Sequence, residues 1–144
     1  MLNPTSLSKS HYDLAMGRKS KRKIRGTSGS DVLTGTKKKN KIWGYEGDDR
    51  IESGEGKDKV WGGEGDDTFV TVDGGRGHVK VMDMQIGDKI EFCGCASTVI
   101  EMKGDDAWIM KGSDVKAVVK GVDADLLSPD FASRQIVMVS DSVV

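Results

Sequence analysis

Asp31, Asn40, Asp49, Asp58 and Asp67 stand nine residues apart, and each is followed two places later by an apolar residue, Leu33, Ile42, Ile51, Val60 and Phe69. Side-chain oxygens at so fixed an interval are candidate ligands for a hard cation, which takes carboxylate, amide and backbone oxygens. In register the units are GTSGSDVLT (26–34), GTKKKNKIW (35–43), GYEGDDRIE (44–52), SGEGKDKVW (53–61) and GGEGDDTFV (62–70). A degenerate sixth, GGRGHVKVM (74–82), follows a three-residue insertion.

These side chains need an element that repeats with the same period. Position eight is apolar in every unit, Val81 completing the series, and positions seven and nine are mostly polar. That pattern predicts a three-residue strand with one inward side chain. Position four is glycine in units one, three, four, five and six, which opens the positive φ angles and close backbone approach of a tight turn. A Gly/Asp-rich linker would not keep an apolar residue at every ninth place.

The fifth unit satisfies every position of G-G-x-G-x-D-x-U-x, and on these units the chain resembles the RTX (repeats-in-toxin) family, whose repeat folds as a parallel β-helix with calcium in its turns. The resemblance implies an all-β fold. A parallel β-roll of nonapeptide repeats spans residues 26–82, after a basic, disordered arm over residues 1–25 and before a C-terminal antiparallel β cap over residues 83–144. Six modest inward side chains cannot offset the ordering of so many turn residues, so calcium binding and folding are expected to be one process.

In such a roll two nonapeptides make one coil, so turns 18 residues apart stack and share ions. The odd ladder then holds Asp31, Asp49 and Asp67, adds Asp48 and Asp66 at position five, and has Gly29, Gly47 and Gly65 behind them. The resemblance places two calcium ions there, with backbone carbonyls of the glycine turns, including those opened by Gly44 and Gly62, completing the ligand sets. The even ladder departs from the pattern, with Asn40 for the acid, Lys57 at position five and Val79 at position six of the sixth unit. It is expected to hold one ion at most, between Asn40 and Asp58.

The same spacing pairs Lys41 with Lys59 and Trp43 with Trp61 on an outward face. With Lys37, Lys38, Lys39 and Lys57 they form a basic strip with two indoles, a surface suited to sugars carrying carboxylate or sulfate. Covering of the indoles by the cap or the arm is the plainer alternative.

Composition narrows the classes. The 144 residues carry a net charge of −1, 19 glycines and 2 prolines. Residues 1–25 hold seven cations against Asp13 alone, a charge of +6 that leaves −7 for the remainder. The body should attract cations. The arm could meet a polyanion or a membrane surface, but no nucleic-acid-binding fold surrounds it, so specific nucleic-acid binding is not expected. No apolar run of about 20 residues could span a bilayer, and no N-terminal signal peptide is evident. The final Asp141, Ser142, Val143 and Val144 partly match the C-terminal type I secretion signals of the family, which would put the protein outside the cell or on its surface. Cys93 and Cys95, one residue apart, are expected as free thiols.

Beyond the roll, alternating segments separated by Gly/Asp turns predict the antiparallel strands of the cap. Asp83 is a candidate terminal calcium ligand or a turn carboxylate, and residues 126–132 predict a turn or one helical turn starting near Ser128. His11 and His78 are the two histidines, and neither HExxH nor GxSxG is present, so the chain is not expected to be an enzyme. The expected function is a secreted or cell-surface calcium-binding protein folding on calcium, with binding of acidic polysaccharide or a cell-surface glycan through the Lys/Trp face as the alternative.

Overall fold

The structure, a computed structural model, describes residues 22–71, 77–92 and 97–139. The expected arm up to residue 21, Cys93 and Cys95, and residues 141–144 lie outside them.

The D/N-x-U-x tetrads of units one, two, three and five become three-residue strands whose middle side chain points inward, and in unit four the strand is longer. The strands are β1 (Lys23–Arg25), β2 (Val32–Thr34), β3 (Lys41–Trp43), β4 (Arg50–Glu52), β5 (Gly56–Trp61), β6 (Thr68–Val70), β7 (Gly77–Val81) and β8 (Lys89–Glu91). Odd-numbered strands stack in one parallel sheet and even-numbered strands in another. The register aligns Ile24, Ile42, Val60 and Val81 in the first. Leu33, Ile51, Phe69 and Ile90 align in the second. All eight are at most 1% exposed, so the core of the roll is two facing columns of single side chains. A one-residue slip would turn either column outward, which fixes the register.

The roll extends past the expected residues 26–82 at both ends. Lys-Ile-Arg at 23–25 forms a rung of its own, and β8 pairs in parallel with β6 as a further rung before the antiparallel cap adds to its other edge. The physical reason is burial: Ile24 and Ile90, each fully buried, extend the two columns.

The cap continues both sheets instead of forming one of its own. Strands β9 (Thr98–Lys103), β10 (Asp106–Lys111) and β11 (Asp114–Val119) form an antiparallel meander, docked by parallel pairing of β11 on β7. Strands β12 (Leu127–Asp130) and β13 (Gln135–Met138) form a hairpin whose β13 runs antiparallel to β8. Ala107, Ile109, Ala117, Val119 and Ile136 carry the buried core past the last coil, as the open end of a solenoid requires. The turn expected near Ser128 is instead strand, after a 3-10 turn at Ala124–Leu126. Pro129 is accommodated because β12 is the edge of its sheet, where a missing N–H costs little.

Candidate metal centre

Positions one to six of each unit carry the chain from one sheet to the other, and the acid or amide at position six folds back into the roll. Asp31, Asn40, Asp49, Asp58, Asp67 and Asp88 are all at most 4% exposed. The backbone N–H of Asp31, Asn40, Asp49 and Asp67 donates to the position-six side chain one coil later. Asp31 N–H bonds Asp49 Oδ1 at 2.8 Å, Asp49 N–H bonds Asp67 Oδ1 at 2.9 Å, and Asp67 N–H bonds Asp88 Oδ1 at 2.9 Å. On the other side Asn40 N–H bonds Asp58 Oδ1 at 2.7 Å. These bonds link one coil to the next and leave each Oδ2 to find its own partner.

For three residues it finds none. Oδ2 of Asp49, Asp58 and Asp67 is buried without a well-formed hydrogen bond among the described residues, as is the Ser53 hydroxyl, which lies beside Asp58 and partly offsets the effect of burial on that carboxyl. Burial pushes Asp49 up to about 7, Asp67 to about 8, and Asp58 to about 6. The neighbouring carboxylates of Asp31 and Asp48 add to the effect at Asp49, and those of Asp88, Asp49 and Asp83 add to it at Asp67. A buried carboxylate of this kind must carry a proton or face a cation.

The donor set fits calcium. A Cβ built on Gly44 would lie 2.2 Å from Asp49 Oδ2 and 2.7 Å from the Gly62 carbonyl oxygen, so two acceptors converge where only a glycine leaves room. At Gly62 the corresponding distance to Asp67 Oδ2 is 2.3 Å. Among the described residues no three His, Cys, Asp or Glu side chains converge as a metal cluster, so backbone carbonyls must complete any ligand set. Oxygen-only coordination by carboxylates and carbonyls suits calcium rather than zinc. Asp49, Asp67 and Asp58 are the residues that would hold it.

The other expected ligands fall elsewhere. Asp48 and Asp66 are exposed and form a separate outer ladder, Asp66 N–H donating to Asp48 Oδ1 at 2.8 Å and Asp48 N–H to Ser30 Oγ at 3.0 Å. Gly47 and Gly65 have φ of 98° and 110°, and a Cβ on Gly47 would meet the Gly29 carbonyl carbon at 2.5 Å, so the stacked turns exclude side chains there. Gly29 differs. Its φ is not positive, and a Cβ would meet only Thr27 Oγ1 at 3.8 Å. Asp31 and Asn40 sit with their neighbours but have partners in their own turns: Thr27 N–H reaches Asp31 Oδ2 at 2.6 Å and Thr36 N–H reaches Asn40 Oδ1 at 2.8 Å.

Sequence reasoning passed over Asp88. The signal was present, since residues 83–91 form a seventh nonapeptide, DMQIGDKIE, with the acid at position six and Ile90 at position eight. Asp83 occupies the glycine's place, and its carboxylate accepts from the N–H groups of Gly62 at 2.8 Å and Gly63 at 3.0 Å.

The opposite face of the roll carries a second constellation. Lys23, Lys41, Lys59 and Lys80 stand in register on β1, β3, β5 and β7, with His78 beside Lys57. A groove of about 540 Å³ runs over Lys41, Lys59 and Lys80 of this column, lined also by Lys39 and closed on the cap side by Asp106 and Trp108. Burial, and then Lys80 and Lys57, hold His78 below its ordinary value. Trp43 and Trp61 stack at 5.0 Å between centroids with planes 7° apart, and the Arg25 guanidinium lies 5.1 Å from the Trp43 ring. They share the outward face with the lysines but do not line the groove, whose indole is Trp108. Lys37 is exposed and outside the groove as well.

Comparison with known proteins agrees with this geometry. The model of the RTX calcium-binding nonapeptide repeat matches four copies over residues 25–60 and 47–78. The AlgE6R3 subunit of the Azotobacter vinelandii mannuronan C5-epimerase, a solution structure, superposes with a TM-score of 0.57 over 72% of each chain at 24% identity, a likeness of fold. Short stretches also resemble the co-chaperonin GroES of Acinetobacter baumannii (strain SDF), 40% identical over 43 residues, 30% of this chain and 45% of the co-chaperonin. Co-chaperonin GroES 5 of Rhizobium meliloti (strain 1021) is 33% identical over 55 residues, 38% of this chain and 53% of its own. The chain thus spans about half the length of the curated relatives it matches. Residues 25–78 thus match the RTX calcium-binding nonapeptide repeat, and the superposition shows the fold of a β-roll.

Proposed function

We propose that this protein is a calcium-gated folding module that works outside the cell or on its surface, where free calcium is abundant. The observation that supports this reading is the set of buried, unpartnered Oδ2 atoms of Asp49, Asp58 and Asp67. Ionised and unpaired, each opposes folding; opposite a cation that binds only the folded chain, each favours it. Calcium binding and coiling of the turns are then one equilibrium. Circular dichroism of the full chain in excess chelator and in millimolar calcium tests this. Strand signal appearing on calcium addition is the expected result, and an equally β-rich spectrum in chelator refutes it.

A second reading rests on the lysine column. Lys41, Lys59 and Lys80, one strand spacing apart at about 4.8 Å, over a groove ending at Trp108 offer a linear track for a polymer with regularly spaced anionic groups. Acidic polysaccharide or a sulfated surface glycan has that chemistry, and the module would bind it without catalysis. Retention on alginate and heparin columns should fall sharply for Lys41→Glu/Lys59→Glu. Unchanged retention of that variant refutes the groove, and retention lost only in Trp43→Ala/Trp61→Ala moves the site to the indole stack.

A further inference from the structure

The turns of the roll are of two kinds, and the difference lies in how each closes over its position-six side chain. In turns one and two, position two is threonine. Thr27 donates its N–H to Asp31 Oδ2 at 2.6 Å and sets its hydroxyl 3.0 Å from the same oxygen. Thr36 repeats this on Asn40 Oδ1, at 2.8 Å from the N–H and 3.2 Å from the hydroxyl. Each threonine oxygen also accepts from the N–H of position four, Gly29 and Lys38, both at 3.1 Å. Neither turn contains a positive φ.

Turns three, four and five have positive φ at positions two and four, in Tyr45 and Gly47, Gly54 and Gly56, and Gly63 and Gly65. The left-handed backbone turns the position-two peptide away, so its N–H makes no bond to the acid of its own turn. The three buried unpartnered Oδ2 atoms, of Asp49, Asp58 and Asp67, belong to these three turns. Turn seven reverts to closure by protein, because Gln85 N–H donates to Asp88 Oδ2 at 2.8 Å.

We propose that threonine substitutes for calcium in this chain. Turns one and two are closed by Thr27 and Thr36 and turn seven by its own backbone, all without metal, while calcium closes turns three, four and five. The inference rests on the calcium reading above and adds where the ions are not. It explains the amide at position 40: a turn closed by N–H and hydroxyl donors needs an acceptor and no charge, so Asn serves as well as Asp. It also assigns an ion to Asp58 in spite of Lys57, because position five points outward.

Titration calorimetry of the full chain with calcium chloride tests the proposal. Up to three ions are expected, and four or more overturn it. Asp31→Asn should leave the number bound unchanged, since turn two already works with Asn, whereas Asp67→Asn should lower it. Loss of an ion in Asp31→Asn overturns the proposal. Conversion of turn two to the glycine form, Thr36→Gly/Lys38→Gly/Asn40→Asp, should add one ion, and an unchanged count in the folded variant counts against it. Zero ions in the parent chain would sink the calcium reading itself. The count in the parent chain stands even where a variant fails to fold.

Discussion

With calcium withdrawn, protons should do its work, so the calcium-free roll is predicted to gain stability as the pH falls from 8 to 5. Burial holds Asp49 at about 7, Asp67 at about 8, and Asp58 and Asp88 at about 6, against about 3.9 in an unfolded chain. A carboxyl raised by folding contributes stability that is complete below its unfolded value and lost as the pH climbs through its folded one. The folded chain therefore binds more protons than the unfolded chain between about pH 4 and 8, and stability falls with rising pH across that window. At about 1.4 kcal/mol per pH unit, ionising Asp49 alone costs the folded chain on the order of 4 kcal/mol, from 3.8 to about 7. Two or three such terms match the 5–15 kcal/mol that holds a typical domain. His78, held low, works in the opposite direction but is a single, half-exposed group. Urea unfolding of metal-free protein, followed by tryptophan fluorescence, should give a higher midpoint at pH 5 than at pH 8. Asp67→Asn should flatten that dependence, and calcium affinity should weaken as the pH falls because protons compete for the same oxygens. A midpoint that is constant or rises from pH 5 to pH 8 refutes the reasoning.

Three further outcomes follow from packing and turn geometry. Gly63→Ala forces a Cβ against the Tyr45 carbonyl oxygen at a φ of 88° and should lower stability in calcium by about 2 kcal/mol or more; Gly29→Ala, with open space, should stay within about 0.5 kcal/mol by the same denaturation assay. Phe69→Ala opens the inward column and should cost about 3–5 kcal/mol and broaden the calcium-induced transition monitored by circular dichroism. Arg50 forks onto Glu91 at 2.9 Å across the intervening strand β6, but both side chains are a third or more exposed, so Glu91→Gln should cost no more than about 1 kcal/mol, shrinking further in high salt.

Much of the roll was legible because one constraint repeats. An inward residue every ninth place and a turn of constant length leave a single register, and Leu33, Ile42, Ile51, Val60 and Phe69 declared it. The period was obscured where a side chain took a glycine's role. Asp83 stands in the first place of the seventh unit and uses its carboxylate to hold Gly62 and Gly63, so a pattern anchored on glycine stops one coil early. The closure of turns one and two was hidden for a different reason: Thr27 and Thr36 read as departures from the glycine pattern until their donors are seen on Asp31 and Asn40. Lys57 argued against metal at Asp58 through a charge that the structure turns to solvent. Trp108 carried no repeat signal, because the cap and not the period brings it to the lysine column.

The stack of Trp43 on Trp61 has a use of its own. Two indoles 5.0 Å apart with nearly parallel planes couple their electronic transitions, and they meet only when β3 and β5 lie side by side in register. Their far-ultraviolet exciton couplet is therefore a built-in optical gauge of coil-on-coil assembly. It separates a correctly wound chain from one that has collapsed or slipped, with no label added.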